Sequence, residues 1–142
     1  MSHSRTPIVL ALLALALVGC SSSTGRATHA SPTPTPACRA PGKPILPHTD
    51  GTLTEDDDGA RICLAKGQVI AVFLNAHSKD AHKAWQPVTA QPASAVRRLS
   101  NGVMSLPIGV TAALFSPAVV GDVQLASRRA DGGTWHAALV VH

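Results

Sequence analysis

The sequence predicts an all-β protein, a small antiparallel sandwich of seven or eight strands. Three observations carry that reading. Short apolar stretches alternate with turn signals built on Gly, Asp and Asn, at intervals of about 8–12 residues. Toward the C-terminus, apolar and polar residues alternate with the period of two expected of half-buried strands. No stretch holds a helical period, and Gln91–Leu99 is the only candidate for one. The 142 residues, 45% hydrophobic and 14% charged, leave room for one domain once an N-terminal apolar run is set aside. Large cofactor-binding folds are excluded by size, and a wholly disordered chain by the apolar runs.

That N-terminal run is Ile8–Val18, preceded by a short polar segment carrying Arg5. As a helix it reaches about 16 Å, well short of the roughly 30 Å core of a bilayer. A basic start, a short apolar stretch and small residues at its end describe a secretory signal. Its end, Leu17-Val18-Gly19-Cys20, resembles the bacterial lipobox, Leu-[Ala/Ser/Thr/Val]-[Gly/Ala]-Cys. The resemblance implies a lipoprotein signal peptide over residues 1–19, cut before Cys20, and a diacylglyceryl thioether on the Cys20 sulfur. Two acyl chains anchor stably where one does not, so the expected location is the extracytoplasmic face of a cell membrane. Residues 20–37 then form a lipidated tether. Ser21–Ala37 is rich in Ser, Thr and Pro and has nothing to bury, so it reads as disordered. The repeats at Pro32, Pro34 and Pro36 stiffen it toward polyproline II, with a reach of roughly 50 Å.

Cys38 and Cys63 remain. In an exported domain an even pair reads as a disulfide, closing a loop of about 25 residues worth about 3 kcal/mol. Two free buried thiols are the alternative. Neither cysteine sits at zinc-ligand spacing from a second Cys or a His.

The domain spans residues 38–142. Thr52–Thr54 opens it and leads into the acidic run Glu55–Asp58; Asp58-Gly59 reads as a solvated hairpin tip. Arg61–Leu64 is the next strand, and Lys66-Gly67 turns the chain again. Gln68–Leu74 contains the longest apolar run of the domain, which implies burial on both faces. Asn75–Lys83 is a polar loop. Trp85–Thr89 resumes extended structure, with Pro87 marking an edge or a bulge. Ala95–Ser100 and Val103–Leu106 flank Asn101-Gly102, a second hairpin signal. Thr111–Phe115 is a strand. In Asp122–Arg129 the residues Val123, Leu125 and Ser127 share one face. Asp131-Gly132-Gly133 turns into the last strand, where Trp135, Ala137, Leu139 and Val141 share a face. The chain has no tyrosine; of Phe73, Trp85, Phe115 and Trp135, at least three are expected in the core.

Leu53-Thr54-Glu55 leads through Gly59 to Lys66-Gly67-Gln68-Val69 and an apolar strand ending at Leu74, and Phe115-Ser116-Pro117 and Gly121-Asp122-Val123-Gln124-Leu125 follow. In this order of residues, 50–142 resembles the chagasin-type cysteine-protease inhibitors. The resemblance implies an immunoglobulin-like sandwich and inhibition of papain-like proteases through three loops. The family's first loop reads Asn-Pro-Thr-Thr-Gly-Tyr-x-Trp. Here Asn75 and Trp85 match its ends, while His77–His82 supply a longer, flexible polar apex. Pro107-Ile108-Gly109 stands where the family has a Gly-rich second loop. Arg128–Trp135 replaces the third loop's Arg-Pro-aromatic.

The chemistry-bearing residues favour binding over catalysis. His77, Asp80 and His82 share one loop, but His-x4-His is not a zinc spacing. No nucleophile motif, phosphate loop or isolated carboxylate pair is present, so no catalytic residue, metal or cofactor is expected. Twelve Lys and Arg against eight Asp and Glu leave a net charge of +4, and loss of Arg5 lowers it by one. That excludes a nucleic-acid surface. Arg97-Arg98 reads as a solvated strand face. The candidate binding residues are Asn75, His77, Lys79, Asp80, His82 and Lys83, with Arg128, Arg129 and Trp135. The resulting expectation is a monomeric, lipid-anchored surface protein whose sandwich binds a protein, peptide or envelope polymer. An inhibitor of a secreted papain-like cysteine protease is the alternative, and a small metal-binding or hydrolytic protein a second.

Overall fold

The computed structural model describes residues 37–99 and 106–142. Eight strands form two four-stranded sheets. They are β1 (Gly51–Leu53), β2 (Arg61–Leu64), β3 (Ile70–Asn75), β4 (Thr89–Gln91), β5 (Val96–Leu99), β6 (Val110–Pro117), β7 (Gly121–Arg128) and β8 (Thr134–Val141). One sheet has the order β1-β3-β6-β5 and the other β2-β8-β7-β4. Among the described residues the only helical pieces are 3-10 turns, at Glu55–Asp57, Ala81–Lys83 and Ala93–Ala95. The signal peptide, the tether and Asn101-Gly102 lie outside the described residues, as does Cys20.

The sandwich is not purely antiparallel. β1 runs parallel to β3 and β2 parallel to β8, because consecutive strands belong to opposite sheets. Asp58-Gly59 is therefore no hairpin. Asp58 has φ −57° and only Gly59 is left-handed, at φ +74°. A two-residue hairpin of the type I′ class needs positive φ at both positions. The turn instead carries the chain from one sheet to the other. β5 pairs with β6, with Leu99 opposite Leu114; the hairpin expected at Asn101-Gly102 falls outside the described residues.

Period-two alternation places the core as expected. Val123, Leu125 and Ser127 of β7 are buried, as are Trp135, Ala137, Leu139 and Val141 of β8. β3 supplies Ile70, Val72 and Leu74 from the other sheet, and β6 supplies Ala113 and Phe115. Trp135 and Phe115 sit fully inside, Trp85 packs partly buried against the core, and Phe73 lies outside the core cluster.

The segment before β1 closes one side of the sandwich. Cys38 and Cys63 form a disulfide. The amide of Arg39 donates to Arg61 O at 2.9 Å, and Cys63 N to Arg39 O at 2.8 Å. Gly42 and Thr52 exchange backbone bonds of 3.1 and 3.0 Å. This strap therefore covers the free edges of both β2 and β1, the groups that otherwise invite a foreign strand. Gly51 is required there, because a Cβ would lie 2.4 Å from Pro41 Cγ.

Candidate functional site

Three loops meet at one end of the sandwich. Asn75 ends β3 opposite Val110, which opens β6; Arg128 ends β7 opposite Thr134, which opens β8. Two contacts join the sheets there. Trp85 bridges Arg129, and the Thr111 hydroxyl donates to Trp85 O at 2.7 Å. The first loop, 75–85, leans on the second, 106–110. Ala76 N donates to Gly109 O at 2.8 Å. Gly109 has φ +86°, and a Cβ on it would approach Ser78 O to 2.4 Å. Only glycine fits this junction.

The first loop is braced rather than loose. The Trp85 indole N–H donates to Asn75 O at 3.3 Å and closes its base. Inside it, Asn75 Oδ1 accepts from His77 N at 2.8 Å, Ser78 Oγ from Asp80 N at 3.1 Å, and Asp80 Oδ1 from His82 N at 2.9 Å. These side chains mimic backbone turns, which is how Asn, Ser and Asp hold a loop without a sheet. The apex expected to be flexible thus carries its own scaffold. His77 sits in the left-handed region at φ 51°.

The acidic run acts as a hub beneath the loops, not as a solvated tip. Glu55 Oε2 accepts from Asn75 N at 3.2 Å, and its Oε1 lies 2.7 Å from His77 Nε2. Partial burial disfavours the charged form of Glu55. Hydrogen bonds from its own amide and that of Asn75, together with His77, outweigh this and hold the carboxyl below its usual range. Asp57 is buried; it accepts from Thr54 N at 2.7 Å and pairs with Arg39. Asp58 Oδ1 accepts from His136 N at 2.9 Å.

Arg129 joins the first and third loops. Its guanidinium carbon lies 4.8 Å from the Trp85 ring centroid, a cation–π contact. Its Nε is 3.2 Å from Asp131 Oδ1. Gly133 lies against its guanidinium, where a Cβ would come within 2.5 Å of Nε.

Of the residues expected to bind, His77, Lys79, Asp80, His82, Lys83 and Arg128 are exposed at this end, with Asn75 and Arg129 half-buried in its framework. Trp135 is a correction. It is 1% exposed, and its indole N–H is spent on Thr54 O at 3.0 Å, so it cannot meet a partner. Strand parity turned it inward, with Ala137 and Leu139. Sequence reasoning missed Glu55 as a loop support, and it placed Ile108 in the second loop without singling out its side chain. Ile108 is 75% exposed at the second loop's tip; an isoleucine between Pro107 and Gly109, with no strand to bury it, was the available signal. Among the described residues no three His, Cys, Asp or Glu side chains converge on a point that would hold a metal.

No protein-family description matches the chain, and no curated protein matches it in sequence. Solved structures do match. The cysteine protease inhibitor EhICP2 from Entamoeba histolytica superposes with a TM-score of 0.52 at 15% identity, covering 64% of this chain and 93% of that one. The fold is chagasin-like. Amebosin superposes with a TM-score of 0.41 at 18% identity, over 68% of this chain and all of that one. Asn75 and Trp85, the two ends of the first loop, are the pair that closes its base.

Proposed function

We propose that this protein inhibits a papain-like cysteine protease, with the three-loop end as the inhibitory edge. The observation that supports it is the bracing of that edge: the first loop is closed by Trp85 and flanked by Gly109 and Arg129 in a chagasin-like sandwich. A braced edge enters a cleft without the ordering cost that a loose loop meets on binding. Exposed Ile108 supplies an apolar contact, and His77, Lys79 and Asp80 supply polar ones. Inhibition is then occlusion, reversible and without a covalent step. Titration of the full chain against papain tests the reading. Inhibition that is competitive, with the inhibitor left uncleaved, is the expected result; no inhibition at micromolar concentration overturns it.

We further propose that Cys20 carries the lipid and holds the protein on the extracytoplasmic membrane face. The lipobox-like residues support this, and a disulfide at Cys38–Cys63 fits an oxidising compartment.

A further inference from the structure

The end of the sandwich opposite the loops has a different chemistry. Three turns meet there, 65–67, 92–95 and 118–120. Gly67 N donates to Pro117 O at 2.9 Å, and Ala118 N to Ala95 O at 2.8 Å. Lys66 is the one formally charged residue of these turns, whereas the loop end carries Lys79, Asp80, Lys83, Arg128, Arg129 and Asp131. Two carboxylates beside this pole are engaged in the fold. Asp122 pairs with Arg61 at 3.1 Å, and Asp50 accepts from Val69 N at 2.6 Å.

The tip of the β6–β7 hairpin is out of keeping with its place. Val119 and Val120 are 53% and 62% exposed, side by side where turns ordinarily carry Gly, Asn, Asp, Ser or Pro. Left in water, two adjacent apolar side chains forgo the gain of burial. Gly67 and Gly121 bend the chain next to them at positive φ, and a Cβ on either would meet nothing within 4 Å.

The chain from Cys20 arrives at this same pole. Cys63 stands opposite Val140, and the next residue, Val141, faces Gly121 beneath the hairpin tip. The disulfide therefore fixes Cys38 close to the level of the tip. Arg39 then bridges Ile62 in parallel, so the strap climbs from here toward the loops. Ser21–Ala37 separates Cys38 from Cys20, at most about 60 Å of extended chain.

We propose that this pole docks on the lipid surface that holds Cys20, with Val119 and Val120 entering the headgroup layer and Lys66 facing anionic lipid. The inference rests on the lipid at Cys20 proposed above. Two valines bury far less than the roughly 800 Å² per partner of a stable protein interface. A lipid layer needs no shape-matched counterpart, and binding to it grows with apolar area and with attraction to anionic headgroups. The tether supplies what the small contact lacks, since a short linker holds its two ends at an effective concentration on the order of millimolar. β7 and β8 are eight residues each, so the loop end then stands about 25 Å above the surface, where a partner in solution reaches it.

The test couples the full chain through the Cys20 thiol to a maleimide-bearing phospholipid in phosphatidylglycerol vesicles. Cys38 and Cys63 are spent in their disulfide, and the coupling supplies the anchor whether or not a cell lipidates Cys20. Brominated acyl chains in the vesicles quench tryptophan at short range. Ala93→Trp, at an exposed site of the pole, and Ile108→Trp, at the loop end, are read against the unsubstituted protein. Loss of fluorescence from the Ala93→Trp probe is expected, with Ile108→Trp left at background. Adding Val119→Asp and Val120→Asp should abolish that loss. Equal quenching of the two probes, or quenching that survives both aspartates, overturns the docking. Self-association of the uncoupled chain that the aspartates abolish would give the tip to a second copy and overturn it as well. Failure of the native anchor shows separately, as membrane retention of Cys20→Ser.

Discussion

Trp85 and Asn75 are ten residues apart, and the indole N–H of the first donates to the backbone carbonyl of the second at 3.3 Å. This contact turns an eleven-residue excursion (75–85) into a closed loop. Replacing Trp85 with Phe keeps an aromatic ring beneath Arg129 but removes the donor. The expected cost is about 1 kcal/mol, the net worth of one such bond. Amide exchange should accelerate across Asn75–Lys83 while the β7 and β8 amides stay protected. Unchanged exchange in the loop would show that the clamp does not hold it.

The Arg129 guanidinium over the Trp85 ring couples the first loop to the third. A double-mutant cycle with Arg129→Ala and Trp85→Leu should return a coupling of about 1 kcal/mol, in the range for a partly desolvated cation–π pair. Strict additivity in urea unfolding would mean that the two loops are held independently.

Glu55 sets a pH dependence of definite sign. Its carboxyl is held below the ordinary range in the folded state. The stability it contributes is therefore fully present above the unfolded-state pKa of about 4.3 and is lost as pH falls through the folded value. Urea midpoints of the native protein and Glu55→Gln should differ at pH 6 and converge toward pH 3. A gap of constant size across that range would exclude Glu55 as the source.

Reduction of Cys38–Cys63, or Cys63→Ser, releases the strap from β2. The bridge spans a sequence separation of 25 residues, for which loop closure contributes about 3 kcal/mol. The variant should lose about that much stability and expose the edges of β1 and β2, seen as faster exchange at Thr52 and Cys63→Ser. Loss of well under 1 kcal/mol would show that the strap stays docked without its bond.

Cys20→Ser tests the proposed anchor. The variant should leave the membrane fraction and appear in the soluble extracytoplasmic fraction. Continued retention would remove the lipid from the account.

For protease inhibition, Ile108→Asp is the most telling change at the loop end. The side chain is 75% exposed, so the fold should be unaffected, with stability within about 0.5 kcal/mol. Binding to papain should weaken about tenfold if Ile108 is buried in the complex.

Much of the fold was legible because a strand writes its faces locally. Val123, Leu125 and Ser127 alternate with exposed neighbours along β7, and no knowledge of a partner strand is needed to see which face is buried. Pairing is another matter. Asp58-Gly59 carries hairpin chemistry, yet β1 pairs with β3 and β2 with β8. A turn sequence states that the chain reverses, and the strand's next neighbour is chosen by which sheet can bury its apolar face.

By itself the sequence determined an all-β domain with one disulfide-competent cysteine pair, the inward set of β7 and β8, and the loops that carry the polar residues. Only the tertiary structure decided what those loops are made of mechanically. Trp85 and Trp135 look alike in the sequence; one closes a loop and the other is core, because their indole donors meet carbonyls 10 and 81 residues away. Glu55 and Asp57 look like solvated charges, yet their partners Asn75, His77 and Arg39 come from distant segments. Hydrogen bonds and ion pairs over such separations leave no periodic trace in the chain. They exist only once the two sheets have packed and brought those segments within about 3 Å.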